Sequence, residues 1–179
     1  MADGAEIEPP IENVDGLITS VAFRPDGERL AIGVITGGVR QYDVATHEPV
    51  GEMLDGDPNG IFGVAYSPDG AVLAGTSLGF STTRLWDAST GATLGTRLVG
   101  GRVPYSYQTF SVEHLMASRP AFSPDGRMIA APGWTGATML WNLDPDRWRT
   151  AACRIVGREL TAEEWARYLP ARNARALCS

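Results

Sequence analysis

Apolar and polar positions alternate in short segments that return three times along the chain. The segment VAFRPDGERLAIG at 21–33 reappears as VAYSPDGAVLAGT at 64–76 and as PAFSPDGRMIAAP at 120–132. Alternation over a few residues between turn-forming residues is typical of antiparallel strands. In the central Pro-Asp-Gly triplet, proline presets φ at the first turn position and glycine accepts a positive φ. Each copy therefore predicts two strands joined by a tight hairpin.

Each copy also leads, at a similar distance from the triplet, to an aromatic residue followed by an acid or an amide. These pairs are Tyr42-Asp43, Trp86-Asp87 and Trp141-Asn142. The interval between the second and third triplets is longer than that between the first and second. With TTRLWDASTG at 82–91 as its most specific segment, the chain resembles the WD-repeat β-propeller family. In that family a repeat of about 40–45 residues supplies one four-stranded blade.

The resemblance implies an all-β fold, a partial WD-repeat β-propeller of three four-stranded blade units with a short C-terminal α-helical tail. The propeller part is expected over 2–143 and the tail over 144–179. The three repeats are expected at 2–43, 45–87 and 89–142, with a loop insertion at 99–118.

The polar signature of the family is largely missing. Many of its blades join a His before the first strand (a) to an Asp in the turn between the second and third strands (b and c) and to a Trp in strand c. The positions equivalent to that His hold Val14 and Asp57, with His114 near the same place in the third copy, and none of the b–c turns supplies an Asp. We therefore expect the internal hydrogen-bond network to be mostly absent.

The opening segment, 2–11, has the pattern of a fourth strand (d). Aligned on 45–54 and 89–98, it places Ile7 and Ile11 at their two apolar positions. The third copy ends after strand c without a strand d of its own. Propellers of the family close when an N-terminal strand d completes the last blade, so 2–11 is expected to be such a closing strand.

Three blades are too few to close a ring, because propellers typically have four to eight. Two alternatives stay open. Two chains could exchange strand d head to tail and form a six-bladed ring, or the chain is the C-terminal part of a longer propeller. The second is preferred, because bacterial proteins of this kind are often large multidomain chains.

The C-terminal region predicts two helices. Asp144-Pro145 is the expected N-cap and first residue of a helix that ends at Gly157, and Thr161 with Glu164 forms a capping box for the next. The pair resembles a tail that follows the last blade of many bacterial WD-repeat proteins, and its expected role is to cover a blade edge or face. A disulfide between Cys153 and Cys178 is geometrically open, but two buried free thiols are preferred for a cytosolic chain.

Charge and composition narrow the classes of partner. The net charge is −6, and the acidic residues concentrate ahead of the arginine-rich tail, so nucleic acid and anionic membranes are not expected as partners of the main domain. The basic residues are all Arg, a bias expected of a high-GC genome. The acidic start lacks the features of a signal peptide, so a cytoplasmic location is expected.

Catalytic chemistry finds little support in the sequence. Only His47 and His114 are present, and there is no nucleophile elbow, Walker loop or dinucleotide fingerprint. The segment DGDPNG at 55–60 begins like a calcium loop, but Tyr66 stands where a bidentate Glu is required. We therefore expect no enzyme activity, no metal and no cofactor.

The insertion at 99–118 is the strongest candidate for function, because insertions in repeat arrays mark binding faces. Its residue types are enriched at interaction hot spots. With one residue of a b–c turn expected on the same face, the candidates are Arg102, Tyr105, Tyr107, Phe110, His114 and Trp134. The competing interpretation is a flap that buries its aromatics against its own blade.

These features favour a non-enzymatic protein-interaction scaffold. The alternative is a structural or regulatory C-terminal part of a larger propeller protein linked to an ATPase, kinase or protease, without activity of its own.

Overall fold

The computed structural model describes residues 10–12, 14–77, 82–100, 119–132, 137–159, 161–164 and 178 of the 179-residue chain. The chain divides into two compact units, residues 1–141 and 142–179, which are described separately.

The first unit consists of three antiparallel sheets that follow one another along the chain, named here blades 1, 2 and 3. Blade 1 contains β1 (Ile18–Phe23), β2 (Arg29–Val34), β3 (Gly38–Asp43) and β4 (Pro49–Asp55). Blade 2 contains β5 (Ile61–Tyr66), β6 (Val72–Ser77), β7 (Thr82–Asp87) and β8 (Leu98–Val99). Blade 3 contains β9 (Ala121–Phe122), β10 (Met128–Pro132) and β11 (Thr138–Asn142). The strands pair in chain order within each blade, and the expected all-β partial propeller is confirmed.

The Pro-Asp-Gly triplets form the expected hairpins between strands a and b. Gly27, Gly70 and Gly126 have φ values of 78°, 69° and 69°, which an L side chain would strain. The aspartate of each triplet accepts a hydrogen bond from the backbone N–H two residues on, at 3.0 Å for Asp26 and 3.1 Å for Asp125. The triplet therefore supplies both the turn geometry and its polar cap.

The aromatic–acid pairs divide their work between core and turn. Trp86 is fully buried, whereas Asp87 accepts hydrogen bonds from the backbone N–H groups of Ser89 and Thr90 at 3.0 and 2.9 Å. The hydroxyls of Ser89 and Thr90 bond the same oxygen, and this set, led by Ser89, lowers the pKa of Asp87 to about 2. The pair in blade 2 thus anchors strand c and orders the turn that follows it.

Blades 1 and 2 pack face to face. We call the face of a blade that points to the preceding blade its leading face, and the opposite one its trailing face. Gly33 lies on the trailing face of blade 1, and a Cβ there would be 3.0 Å from Ile61 Cγ2 and 3.1 Å from Val64 Cγ1. The main core cluster is formed by this junction, with Trp86 and Leu73 on the side of blade 2. A glycine at position 33 permits the close approach.

A second cluster lies on the leading face of blade 1. Ile32, Val34 and Tyr42 are buried there, and Ile11 and Val14 pack against them. Ile11 thus occupies the place, relative to blade 1, that its aligned residue Leu54 occupies relative to blade 2. Residues 2–9 lie outside the described residues, so their assignment as a closing strand stays a prediction.

Strand d of blade 2 is short. The segment 89–98 aligns with the segment that contains strand d in blade 1, and in it the structure forms an isolated bridge between Trp86 and Thr93 before the two-residue β8 begins at Leu98. The chain turns at Gly95, where φ is 69°, before it rejoins β7 at Leu98.

The second unit confirms the expected helix ends. Helix α1 spans Pro145–Val156, with Asp144 as N-cap accepting from the N–H of Asp146 at 2.9 Å and Gly157 as a left-handed C-cap. The capping box is also present, because the Thr161 N–H donates to Glu164 at 2.9 Å and the Glu164 N–H donates back to Thr161 Oγ1 at 3.2 Å.

The preference for two free thiols is wrong. Cys153 and Cys178 form a disulfide with their Cα atoms 5.3 Å apart, and Cys178 is exposed. The backbone N–H of Cys178 also donates to Glu159 at 2.7 Å, so a hydrogen bond holds Cys178 beside the segment that follows α1. This long-range contact has no signature in the local sequence.

Candidate protein-interaction site

The six predicted interaction residues, Arg102, Tyr105, Tyr107, Phe110, His114 and Trp134, all lie outside the described residues. The structure describes the two ends of the insertion. It leaves blade 2 after β8, where Val99 is exposed and Gly100 is buried, and enters blade 3 at β9 after the buried Pro120. Residues 101–118, between these two ends, lie outside the described residues, so the insertion stays a prediction.

The equivalent connection between blades 1 and 2 is fully described and lies against a b–c turn. A Cβ on Gly37, in the b–c turn of blade 1, would clash with the carbonyl oxygen of Asp57 in the d–a connection. These two backbones are in direct contact at one end of the blade. Trp134 and most of the insertion lie outside the described residues, so their place at this end stays a prediction.

Asp57 is the polar centre of this connection. Its carboxylate is almost fully buried and accepts hydrogen bonds from Asn59 Nδ2 at 2.7 Å, Thr82 Oγ1 at 3.0 Å and Arg97 Nη1 at 3.3 Å. Burial by itself would raise the pKa of Asp57, but these hydrogen bonds and the Arg97 charge outweigh it and lower the pKa. The buried acid thus joins the connection to strands c and d of blade 2.

Blade 2 therefore contains a hydrogen-bond network that differs from the His–Asp–Trp network whose absence the sequence predicts. In it, an acid at the position equivalent to the His accepts a hydrogen bond from a threonine at the start of strand c. The sequence contained Asp57 at that position, but its partners lie 25 and 40 residues away and form no motif.

The calcium-like segment does not present its acids as a metal site. The Asp57 carboxylate already pairs with Arg97 and accepts hydrogen bonds from neutral donors. A guanidinium beside the carboxylate disfavours the binding of a second cation. Among the described residues, no group of three or more His, Cys, Asp or Glu is placed to hold a metal ion.

A polar seam joins blades 1 and 2 near the opposite end. Gln41 is buried, donates to the carbonyl oxygen of Ala88 at 3.0 Å and accepts from the Tyr66 hydroxyl at 2.7 Å. Burial raises the pKa of Tyr66 to about 12, so its hydroxyl remains a donor at neutral pH. The trailing-face glutamine and the leading-face tyrosine therefore satisfy each other across the junction.

The outer faces of the three-blade array are open, a feature that sequence analysis did not assign to particular residues. Phe23 in β1 is 63% exposed, whereas Tyr66, at the same place in β5, is 8% exposed. Leu140 in β11 is 67% exposed, whereas its equivalent Leu85 in β7 is 5% exposed. The leading face of blade 1 and the trailing face of blade 3 thus present residues that are buried where a neighbouring blade is present.

The leading face of blade 1 has two more residues of this kind. Ile18 and Val21 are exposed, whereas their equivalents Ile61 and Val64 are buried in the blade junction. The open faces could have been found from the repeat alignment alone, by asking which equivalent positions lack a neighbouring blade.

Several curated proteins are similar to part of the chain. COMPASS component SWD1 of Saccharomyces cerevisiae is 39% identical over 70 residues, which cover 37% of this chain and 16% of that protein. WD repeat-containing protein 1 of Gallus gallus is 33% identical over 91 residues, covering 48% and 14%. WD repeat-containing protein VIP3 of Arabidopsis thaliana is 24% identical over 129 residues, covering 71% and 39%. The chain thus spans well under half the length of each.

A solved structure supports the fold. The WD40 repeats of RRP9 superpose with a TM-score of 0.62, covering 75% of this chain and 38% of that one at 16% sequence identity. No protein-family model matches the chain. The WD-repeat resemblance is supported by these likenesses, and the fold is a partial WD-repeat β-propeller with a short helical tail. In the part of the chain that the structure describes, no helix is long and apolar enough to cross a membrane.

Proposed function

We propose that this chain is a non-enzymatic WD-repeat scaffold that binds other proteins through the end of the blades where d–a connections and b–c turns meet. The observation that carries the proposal is the contact between Gly37 and Asp57, which brings both kinds of loop to one end of blade 1. The insertion at 99–118 is the longest connection of this type, and its aromatic residues and arginine suit a protein interface.

Alanine substitution of Tyr105, Tyr107 and Phe110 together tests this proposal. The expected result is loss of partner capture by the immobilised chain, with a melting temperature unchanged from the parent. The matched control is Glu48→Ala, at an exposed residue of a c–d turn, which should retain capture. A triple variant that melts well below the parent would instead support the flap that packs on its own blade.

The second candidate is a structural or regulatory part of a larger propeller protein, linked to an ATPase, kinase or protease. Its support is the exposure of Phe23 and Leu140, which require neighbouring blades to become buried. In either case we propose that further blades complete the ring, supplied by a second copy of the chain or by the rest of a longer propeller. Nucleic acid and membranes are not proposed as partners.

We also propose a bacterial, cytoplasmic protein without catalytic activity, on the strength of the sequence features alone. The disulfide weighs against the location, because cytosolic thiols are kept reduced. Rapid alkylation of intact cells distinguishes the compartments. Free Cys153 and Cys178 would support the cytoplasm, and a protected bridge would contradict it.

A further inference from the structure

We propose that the two open faces pair with each other in a second copy of the chain, so that two chains close head to tail into a six-bladed ring. The leading face of blade 1, with Ile18, Val21 and Phe23, docks on the trailing face of blade 3 of the copy, around Leu140. The inference rests on the proposed completion of the ring and names the occupant.

The junction of blades 1 and 2 demonstrates what a leading face of this sequence binds. Ile61 and Val64 of blade 2 are buried against the trailing face of blade 1 at Gly33. Blade 1 repeats the same residue types at Ile18 and Val21. Its leading face is therefore suited to a trailing face of the same kind of blade.

The chemistry at one pair of positions selects this chain's own blade 3. The trailing position in strand c holds Gln41, Leu85 and Leu140 in the three blades, and the leading position in strand a holds Phe23, Tyr66 and Phe122. Gln41 faces Tyr66, the tyrosine among these three residues of strand a, and its Oε1 accepts a hydrogen bond from the Tyr66 hydroxyl at 2.7 Å.

Leu85 of blade 2 precedes a blade whose leading residue is phenylalanine, which has no hydroxyl to satisfy. A buried hydroxyl opposite leucine would be left without a partner, which is unfavourable. The two open ends follow the same rule, because Leu140 would meet Phe23. The free faces are matched to each other as the internal ones are.

The edge of blade 3 fits the same partner. The equivalent strands β3 and β7 pair on their outer side with β4 and β8, whereas β11 has β10 as its one neighbour among the described strands. In blades 1 and 2 the outer side of the equivalent strand is where strand d pairs. Ile11 lies on the leading face of blade 1, where a strand d of a preceding blade belongs. A copy of blade 3 that docks there brings β11 beside the segment that contains Ile11.

Two copies of the three described blades are enough to form a ring. These three blades present one leading and one trailing open face, and head-to-tail pairing of such units continues until the rotation is complete. Six blades lie within the range of four to eight that propellers adopt.

Light scattering after size exclusion tests the assembly. The 19.1 kDa chain is expected to elute at twice that mass. Phe23→Arg and Leu140→Glu should each give monomers, and Ile155→Arg, at an exposed apolar residue of α1, should leave the dimer intact.

Mixing separates a docking defect from misfolding. Equal amounts of Phe23→Arg and Leu140→Glu chains should recover the dimer mass, because one interface becomes a charge pair and the other is the parent pair. Mixing Phe23→Arg with Leu140→Arg chains should recover less dimer, because one of the two interfaces then sets two arginines against each other. Circular dichroism melting of each variant establishes that it is folded before mixing.

A conservative pair gives a second readout. Phe23→Tyr should weaken association about tenfold per interface by burying a hydroxyl against leucine. Adding Leu140→Gln in the same chain recreates the Gln41–Tyr66 pair and should restore it.

A parent with the mass of a single chain, a mass above two chains, or folded variants that do not recover on mixing would each overturn the inference. Partner capture that survives in a monomeric parent would leave the scaffold proposal standing.

Discussion

At the scale of single residues, two buried polar side chains connect segments that are distant in the sequence. Asp57, in the connection between blades 1 and 2, bonds Thr82 and Arg97 of blade 2. Gln41 of blade 1 bonds Tyr66 of blade 2. Both side chains are buried, and burying either of them without its hydrogen-bond partners would be unfavourable. Their hydrogen bonds fix the relative position of segments that otherwise contact each other through apolar packing.

Asp57→Ala should lower the free energy of unfolding by about 2–3 kcal/mol, because charged hydrogen bonds are lost and their donors are left unpaired. Asp55→Ala, at an exposed acid two residues away, should change it by less than about 0.5 kcal/mol. Urea unfolding at pH 7 measures both.

The contribution of Asp57 to the free energy of unfolding is expected to depend on pH. The folded pKa of Asp57 is lowered, so its contribution is present above the unfolded value of about 3.9 and is lost as the pH falls through the lower folded value. The difference between Asp57→Ala and the parent should therefore shrink below about pH 4. A difference that is unchanged at pH 3 would contradict the charged role of Asp57.

At the scale of elements, a helix cap, an ion pair and a disulfide stabilise the described part of the C-terminal unit. Gly157 ends α1, Arg158 forms a bidentate ion pair with Glu164 at 2.7 Å, and the Cys153–Cys178 disulfide closes a segment of 25 residues. The ion pair is exposed and contributes little. The disulfide is the covalent constraint among these described contacts.

Reduction of the disulfide should destabilise the C-terminal unit by about 3 kcal/mol, as expected for a loop of this length. Hydrogen exchange of α1 in the presence and absence of dithiothreitol measures the effect, with β2 and β6 as internal references that should not change. The Cys153→Ser/Cys178→Ser double variant is the control, and it should not respond to the reductant. Equal exchange of oxidised and reduced parent chains would show that the bridge carries no stability.

At the scale of the whole molecule, the blades form a series of junctions in which each hairpin lies beside the next. A Cβ on Gly70 would be 3.0 Å from Arg24 Cγ in the hairpin of blade 1, and a Cβ on Gly126 would be 3.7 Å from Pro68 Cδ in that of blade 2. By contrast, a Cβ on Gly27, in the first hairpin, would meet nothing within 4 Å. The two open faces are the ends of this series.

Gly70→Ala should therefore destabilise the chain more than Gly27→Ala does. Both variants place an alanine at a positive φ, which costs about 1–2 kcal/mol, and only the first also crowds the preceding blade. Thermal unfolding of the two variants isolates the contact between blades. Equal losses would mean that Arg24 moves aside freely.

The sequence by itself determined the features that depend on neighbouring residues. The Pro-Asp-Gly hairpins, the order of strands a to c and both ends of α1 follow from turn and capping chemistry within a few positions, and each is confirmed. The repeat then led from these elements to the propeller fold. The interaction residues in 99–118 and Trp134 were also chosen from sequence, and they stay predictions.

Only the tertiary structure decided which positions are buried and which polar groups meet. Phe23 and Tyr66 occupy the same place in the same motif, yet one is exposed and the other buried, because burial depends on whether another blade stands opposite. The partners of Asp57 and the pairing of Cys153 with Cys178 join segments 25 to 40 residues apart. Such contacts are set by the path of the backbone through space, which local pattern does not encode.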